Sequence, residues 1–297
     1  MKKKILSLIL ITTMSLSIVG CSEKAKPNND DASKQTVNDT NDASDASDTN
    51  DENETKDTTK NKVDNTDELT DEYLLSLPET PADQFVYEEV EGGVKITLCW
   101  VEDDKDAIIV IPNQIDGKDV VELDKELFAR CKYKAVVLNK NLKMTSGNLF
   151  FYANIDKIVM QEGLEVVGGR SFFYTDLKYG IKIPSTVKEI MGTAFGDSNI
   201  KEITIPKSVE KIYATAFSLC NELETITFEG CPYIENGAFT MSNNIKKVIC
   251  LDGDITFHEQ EFYVTSGEQR DITFVAPAGS KVEQYAKDRG FKFEALK

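Results

Sequence analysis

From about residue 107 onward, apolar side chains return at a long and regular interval. Phe128, Phe150, Phe172, Phe195, Phe217, Phe239 and Phe262 follow one another at spacings of 22 or 23 residues. Five positions before each Phe stands Leu123, Thr145, Val167, Ile190, Ile212, Ile234 or Phe257, apolar at every copy but one. A third column closes each short apolar alternation: Ile111, Leu138, Met160, Ile183, Ile205, Phe228, Cys250 and Phe274. A unit this small cannot close a core, so neighbours must stack and bury the columns together. The pattern predicts a mainly β solenoid with one short strand per coil, all of them parallel. Each Ile-x-Ile step puts two side chains on one face of a strand. Pro112, Pro184 and Pro206 end those strands, because Pro has no ladder donor.

Different patterns mark the two ends. Phe85–Val90 and Val94–Leu98 alternate around Glu91-Gly92-Gly93, which predicts a hairpin whose apolar face covers the first coil. Near the other end, Ser280-Lys-Val-Glu283 has the spacing of a capping box. Val282, Tyr285 and Ala286 then form one stripe, and Gly290 stops the helix before a strand-like Phe291-Lys-Phe293.

The elements Ile203-Thr-Ile205-Pro206, Val209-x-x-Ile212 and Ala216-Phe217, with their copies at Ile181–Pro184, Val187–Ile190 and Ala194-Phe195, resemble the BspA-like subclass of leucine-rich repeats. The likeness extends over about residues 85 to 293. It implies a leucine-rich-repeat solenoid in which Ala-Phe replaces the superfamily's usual Asn or Cys ladder, and a role among exported, surface-displayed binding proteins. The copies near 139–150 and 250–262 depart most. Asn139 and Leu251 replace Pro, and Glu261 replaces Ala, so irregular coils are expected there.

The first residues carry no repeat. Lys2, Lys3 and Lys4 precede an apolar run, Ile5–Val19, that is shorter than the roughly 20 residues a membrane-spanning helix needs. Ile18-Val19-Gly20-Cys21 resembles the lipobox of bacterial lipoproteins, which implies cleavage before Cys21 and lipid chains on that residue. Two or more chains anchor stably where one does not. Residues 22–68 then hold 14 Asp or Glu against 6 Lys and no aromatic residue. Such a segment buries too little apolar surface to offset the ordering of its backbone, and a disordered acidic tether spanning on the order of 40 Å is expected. Its Asp-rich units between Asp42 and Asp51 lack the Gly and Glu of a calcium loop. The chain thus divides into a signal peptide (1–20), the lipidated Cys and tether (21–68), the hairpin cap (69–106), the repeats (107–278) and the C-terminal cap (279–297).

Charge and chemistry narrow the function. The formal net charge is −17, which argues against nucleic acid and against adsorption to anionic lipid. His258 is the only histidine, and no Cys-x-x-Cys or phosphate-binding glycine motif occurs, so no enzyme, metal or cofactor is expected. Cys131 and Cys220 share one place in the repeat, as small buried residues do. Cys99, Cys131, Cys220, Cys231 and Cys250 are expected to be mostly free thiols.

Solenoids bind through their extended faces. The outward residues between paired strand positions are Val110, Val137, Val159, Lys182, Thr204, Thr227, Ile249 and Thr273, and the first three predict an apolar ladder. That ladder is either ordinary cross-strand packing or part of a binding stripe running through Lys182, Thr204 and Thr227. Trp100 either covers the first coil or joins that surface. The expected role is a non-enzymatic lipoprotein on the outer face of the bacterial cell membrane, with a protein partner or adhesive function. The alternatives are an envelope-assembly component and a carbohydrate-binding accessory protein.

Overall fold

The computed structural model describes residues 69–258, 261–262 and 270–297. The described core lies in one compact unit, Asp64–Lys297. The predicted signal peptide, Cys21 and the tether lie outside the described residues.

A short helix, α1 (Asp71–Ser76), precedes the predicted hairpin, β1 (Phe85–Val90) and β2 (Gly93–Cys99), which pair antiparallel. The hairpin turns at Gly92, whose φ is +85°. Gly93 admits no side chain, because a Cβ there would lie 2.1 Å from the Asp119 carbonyl oxygen. Beyond β3 (Ile108–Val110), the pair β4 (Gln114–Ile115) and β5 (Lys118–Leu123) brings β5 parallel to β2. Phe85, Val94 and Ile96 are buried in the main core, so the hairpin does close the first coil. Trp100 does not share in this, being 64% exposed.

The long wall of the solenoid is parallel, as predicted, but it is split in two. β3, β6 (Lys132–Val137) and β7 (Asn154–Val159) form one sheet. The second wall starts with β8 (Val166–Val167) and β9 (Glu189–Ile190), and continues through β11 (Lys211–Ile212) and β13 (Tyr233–Ile234) in one parallel sheet. The long wall resumes with β10 (Glu202–Ile205), β12 (Thr225–Phe228), β14 (Lys247–Cys250) and β15 (Thr273–Ala276). Between β7 and β10, Ile181–Ile183 joins neither sheet. One extra residue explains the gap: Leu177 to Ile183 spans six positions where Ile155 to Met160 and Ile200 to Ile205 span five. Gly180 absorbs it at φ +64°, a left-handed conformation that breaks strand pairing.

All three columns face inward. The repeat Phe rings run through the core in contact from coil to coil, with centroids 5.0 to 5.9 Å apart and planes within 21°. Thr145, the one polar member of its column, is satisfied by Ser171 Oγ at 2.7 Å and by the Gly168 N–H at 2.8 Å. Asn139 replaces Pro by doing a turn's work with its side chain. It donates to the Pro112 and Val120 carbonyls and accepts from the Asn141 and Leu142 amides.

From Phe128 to Phe239, each Phe turn also carries a pair of left-handed residues that the sequence did not announce. The residues two before and two after the Phe have positive φ, as at Glu126 and Arg130, Asn148 and Tyr152, Arg170 and Tyr174, and Thr193 and Asp197. This conformation costs roughly 1–2 kcal/mol for a side-chain-bearing residue. The coil-to-coil ladder offsets it: Arg130 N–H donates to the Phe151 carbonyl at 2.8 Å, and Tyr152 N–H to that of Phe173 at 3.0 Å.

A short polar network also joins three coils at the entrance to the long wall. Asp176 accepts from the side-chain amides of Asn154 and Asn199, and Asn199 Oδ1 accepts from Leu177 N–H at 2.7 Å.

The last coil corrects a register. Val248 pairs with Phe274 and Ile249 with Val275, so Thr273 stands beside Lys247 and not beside Ile249. The apolar alternation runs on through Ala276, and a period of two leaves registers two residues apart equivalent in sequence. The C-terminal cap forms as read. Helix α2 (Lys281–Arg289) is capped by Ser280, which accepts from Glu283 N–H at 3.2 Å, and ends on left-handed Gly290. Strand β16 (Lys292–Ala295) then adds a last parallel rung beside β15.

Candidate binding surface

Along β3, β6 and β7 the outward valines do form a ladder, but it is not free. Val110, Val137 and Val159 are 8%, 1% and 4% exposed, packed with Ala135 against Leu69 and Leu74. The occupant is the chain's own segment. Thr70 caps α1 by accepting from Tyr73 N–H at 3.1 Å, and Asp71 pairs with Lys157 at 3.1 Å. Downstream, Thr80 bonds Val110 through both its amide and its hydroxyl, and Glu79 accepts from Asn113 N–H at 3.0 Å. The apolar half of the predicted stripe is therefore a docking strip for residues 69–80, which removes it as an exposed ladder.

The polar half stays open. Lys182 and Thr204 are exposed and Thr227 half-buried, with Thr204 and Thr227 directly paired across β10 and β12. They line a groove of about 670 Å³ together with Glu162, Glu202 and Glu229. Partial burial pushes the Glu162 carboxyl up. The bonds from Ser185 N–H (3.1 Å) and Oγ–H (2.9 Å), with the charge of Lys182, outweigh this and hold it below its ordinary range. Next to it, Asp156, Lys157, Lys178, Lys201 and Glu222 line a second groove of about 900 Å³ that begins at Leu69. The two flank the Gly180 gap, so the extra residue that splits the wall also opens its relief.

His258 lines a cavity of about 330 Å³ with Cys231, Tyr233 and Asp254. The thiol there is not primed for attack. Burial, and then the bond to Asp252 and its charge, push the Cys231 pKa up to about 11, away from a nucleophile's. Cys99, Cys131, Cys220, Cys231 and Cys250 are all free, and burial raises Cys131 to about 12 and Cys220 to about 11. Cys131 Sγ–H donates to the Phe128 carbonyl and Cys220 Sγ–H to that of Phe195, at 2.9 and 3.0 Å. Among the described residues, no group of three or more His, Cys, Asp and Glu is placed to hold a metal ion, and no helix is long and apolar enough to cross a membrane.

One exposed cluster escaped the sequence reading. The tripeptide Phe150-Phe151-Tyr152 recurs one coil later as Phe172-Phe173-Tyr174. Its first Phe is core, whereas the other two residues sit on the outside of the turn. Tyr152 and Tyr174 stack at 4.3 Å and are each 46% exposed; Phe151 and Phe173 stack at 5.7 Å, with the Arg130 guanidinium 5.8 Å over Phe151. The duplication itself was the available signal. It was hidden because these two positions vary in every other coil.

Stacked coils, a parallel strand wall, an inward Phe column and capped ends define a leucine-rich-repeat solenoid. The BspA type leucine rich repeat region matches residues 111–190 and 176–277 in six copies, and the chain belongs to that family. Among solved structures it is similar to a leucine-rich repeat protein from Bacteroides ovatus, at 17% identity and a TM-score of 0.49 over 73% of this chain and 67% of that one. It is also similar to the T. pallidum leucine rich repeat protein, at 22% identity and 0.40 over 73% and 98%, and to a leucine rich cell surface protein from Faecalibacterium prausnitzii, at 14% and 0.29 over 75% and 96%. No curated protein sequence matches significantly.

Proposed function

We propose that this chain is an exported lipoprotein, held through Cys21 at the outer face of the bacterial cell membrane. There its solenoid, without chemistry of its own, binds a partner protein in an adhesive role. The observation that carries this reading is the uncovered half of the long wall. Past Val159 the outward positions Lys182, Thr204 and Thr227 stay solvent-accessible across successive coils, beside two polar grooves. Regular extended faces of this kind are what solenoids use for recognition. The net charge of −17 keeps nucleic acid an unfavourable partner.

The test has two arms. Replacing Cys21 with Ser should abolish labelling by a palmitate analogue in the producing cell; retained labelling overturns the anchor. Soluble Asp64–Lys297 should capture a protein selectively from panels of host proteins, glycans and the organism's own envelope proteins. The triple variant Lys182→Glu, Thr204→Lys, Thr227→Lys should lose that capture. Capture of an envelope protein alone would favour the assembly role, and capture of glycans alone the accessory one.

A further inference from the structure

We propose that Phe151, Tyr152, Phe173 and Tyr174, with Arg130, form a second binding surface that takes an acidic peptide segment of a partner protein. An apolar side chain of the segment would lie on the rings and a carboxylate on Arg130. This surface is on the outside of the Phe turns and is independent of the strand-wall reading.

Three observations carry the assignment. First, the rings are where the repeat does not need them. The same two places hold Gly196 and Asp197, Ser218 and Leu219, and Thr240 and Met241 in later coils, and those coils keep the same Phe stack. Tyr152 and Tyr174 also occupy left-handed positions, where a large aromatic residue is unfavourable. Coil geometry therefore does not ask for aromatic side chains here. Exposed Tyr and half-buried Phe beside Arg are the residue types that anchor protein interfaces.

Second, the surface beside the rings is basic on the Arg130 side. The three turn segments 125–130, 147–152 and 169–174 contain Lys125, Arg130 and Arg170 against Glu126, and Asp197 holds the Tyr152 place in the coil beyond Tyr174, while the whole chain carries −17. The basic and aromatic stretches coincide, so an acidic segment finds its complement here and repulsion from most of the remaining surface.

Third, stacking reduces the flat ring area that a sugar would need. Each ring has one face turned to its stacking neighbour in the adjoining coil, and Arg130 lies over Phe151. Ring edges, phenol hydroxyls and the second faces of Tyr152 and Tyr174, each 46% exposed, are left to face a ligand. Edges carry the positive end of the aromatic quadrupole and phenols can donate, so both favour carboxylates over the C–H faces of a pyranose.

The experiment is selection of displayed random short peptides on immobilised Asp64–Lys297, then fluorescence anisotropy of the enriched sequences, alongside a glycan array. Enriched peptides should pair Asp or Glu with an aromatic residue or Leu. They should lose about tenfold or more in affinity to the Tyr152→Asn, Tyr174→Asn double variant and to Arg130→Glu, as expected for hot-spot residues. Asn tolerates positive φ, so the double variant keeps the coil's conformation, and an unchanged melting midpoint verifies it. Arg130→Glu supplies the answer should the double variant unfold. The strand-wall variant should bind the same peptides as wild type, which separates this proposal from the preceding one. Enrichment of basic peptides, no enrichment, glycan binding lost in the same variants, or unaltered affinity in those variants would each overturn it.

Discussion

Glu261 stands where the other coils place Leu, Ser or Ala before the Phe, and it is 2% exposed. Its two carboxylate oxygens accept from Phe239 N–H at 2.7 Å and Gly237 N–H at 2.9 Å, whereas one coil earlier Phe217 N–H uses the Ala238 carbonyl. A side chain thus replaces a backbone rung where the last coil is irregular. Burial pushes the Glu261 carboxyl above its ordinary value of 4.5, outweighing those two bonds and the charges of His258 and Arg270. The folded state therefore binds this proton more tightly than the unfolded state. Its contribution to stability is fully present below about 4.5 and is lost as pH rises through the raised value. Melting midpoints of wild type and Glu261→Gln, compared from acid to neutral pH, should show the wild-type advantage shrinking as pH climbs; parallel curves would refute this. At this scale the sequence was partly legible. The Phe, strand and Val-x-x-Ile columns were readable because burial demands apolar residues at fixed spacing. The left-handed pairs around Phe128 to Phe239 were not, because Glu, Arg, Tyr, Thr, Leu and Met share them with Asn, Asp and Gly, and only the last three favour positive φ.

Among elements, α1 has the clearest consequence. Leu69 and Leu74 lie on Val110, Val137 and Val159, and one ion pair with Lys157 sits at the margin. Replacing Leu74 with Asp puts a charge into that contact, which cannot be solvated there. The expected result is release of residues 69–84 to limited proteolysis and binding of a hydrophobic dye to the uncovered valines, with the solenoid's far-ultraviolet circular dichroism retained. Unchanged protease resistance would show that the strip is held by other contacts. The valine ladder was visible in sequence because strand alternation defines outward positions. Its cover was not, since a six-residue helix with no repeat of its own carries no period to link it to a distant sheet. The slipped last strand and the Gly180 gap were hidden for a related reason: inserted residues, several before the last strand and one at the gap, alter register without altering the apolar signature around them.

For the whole molecule, the coil is the unit of folding, because each coil contacts its neighbours and little else. Removing residues 196–217, one full period from Phe195 to Phe217, should leave a folded protein with a lower melting midpoint. Removing 196–206 alone, which breaks the stack's phase, should abolish cooperative unfolding in calorimetry. Equal tolerance of both deletions would argue against a repeat-by-repeat core. The stack must also stop somewhere. Its final rung, β16, pairs with β15 on one side and presents Lys292 and Glu294 as exposed residues on a strand of four. Short, charged edge strands refuse further partners. On the membrane proposed for this protein, many copies would meet within a thin layer at high local concentration. An apolar last rung there would let one solenoid template the next into a fibre. Lys292 and Glu294 on this edge would instead disfavour that addition and keep crowded copies of the proposed lipoprotein as separate heads.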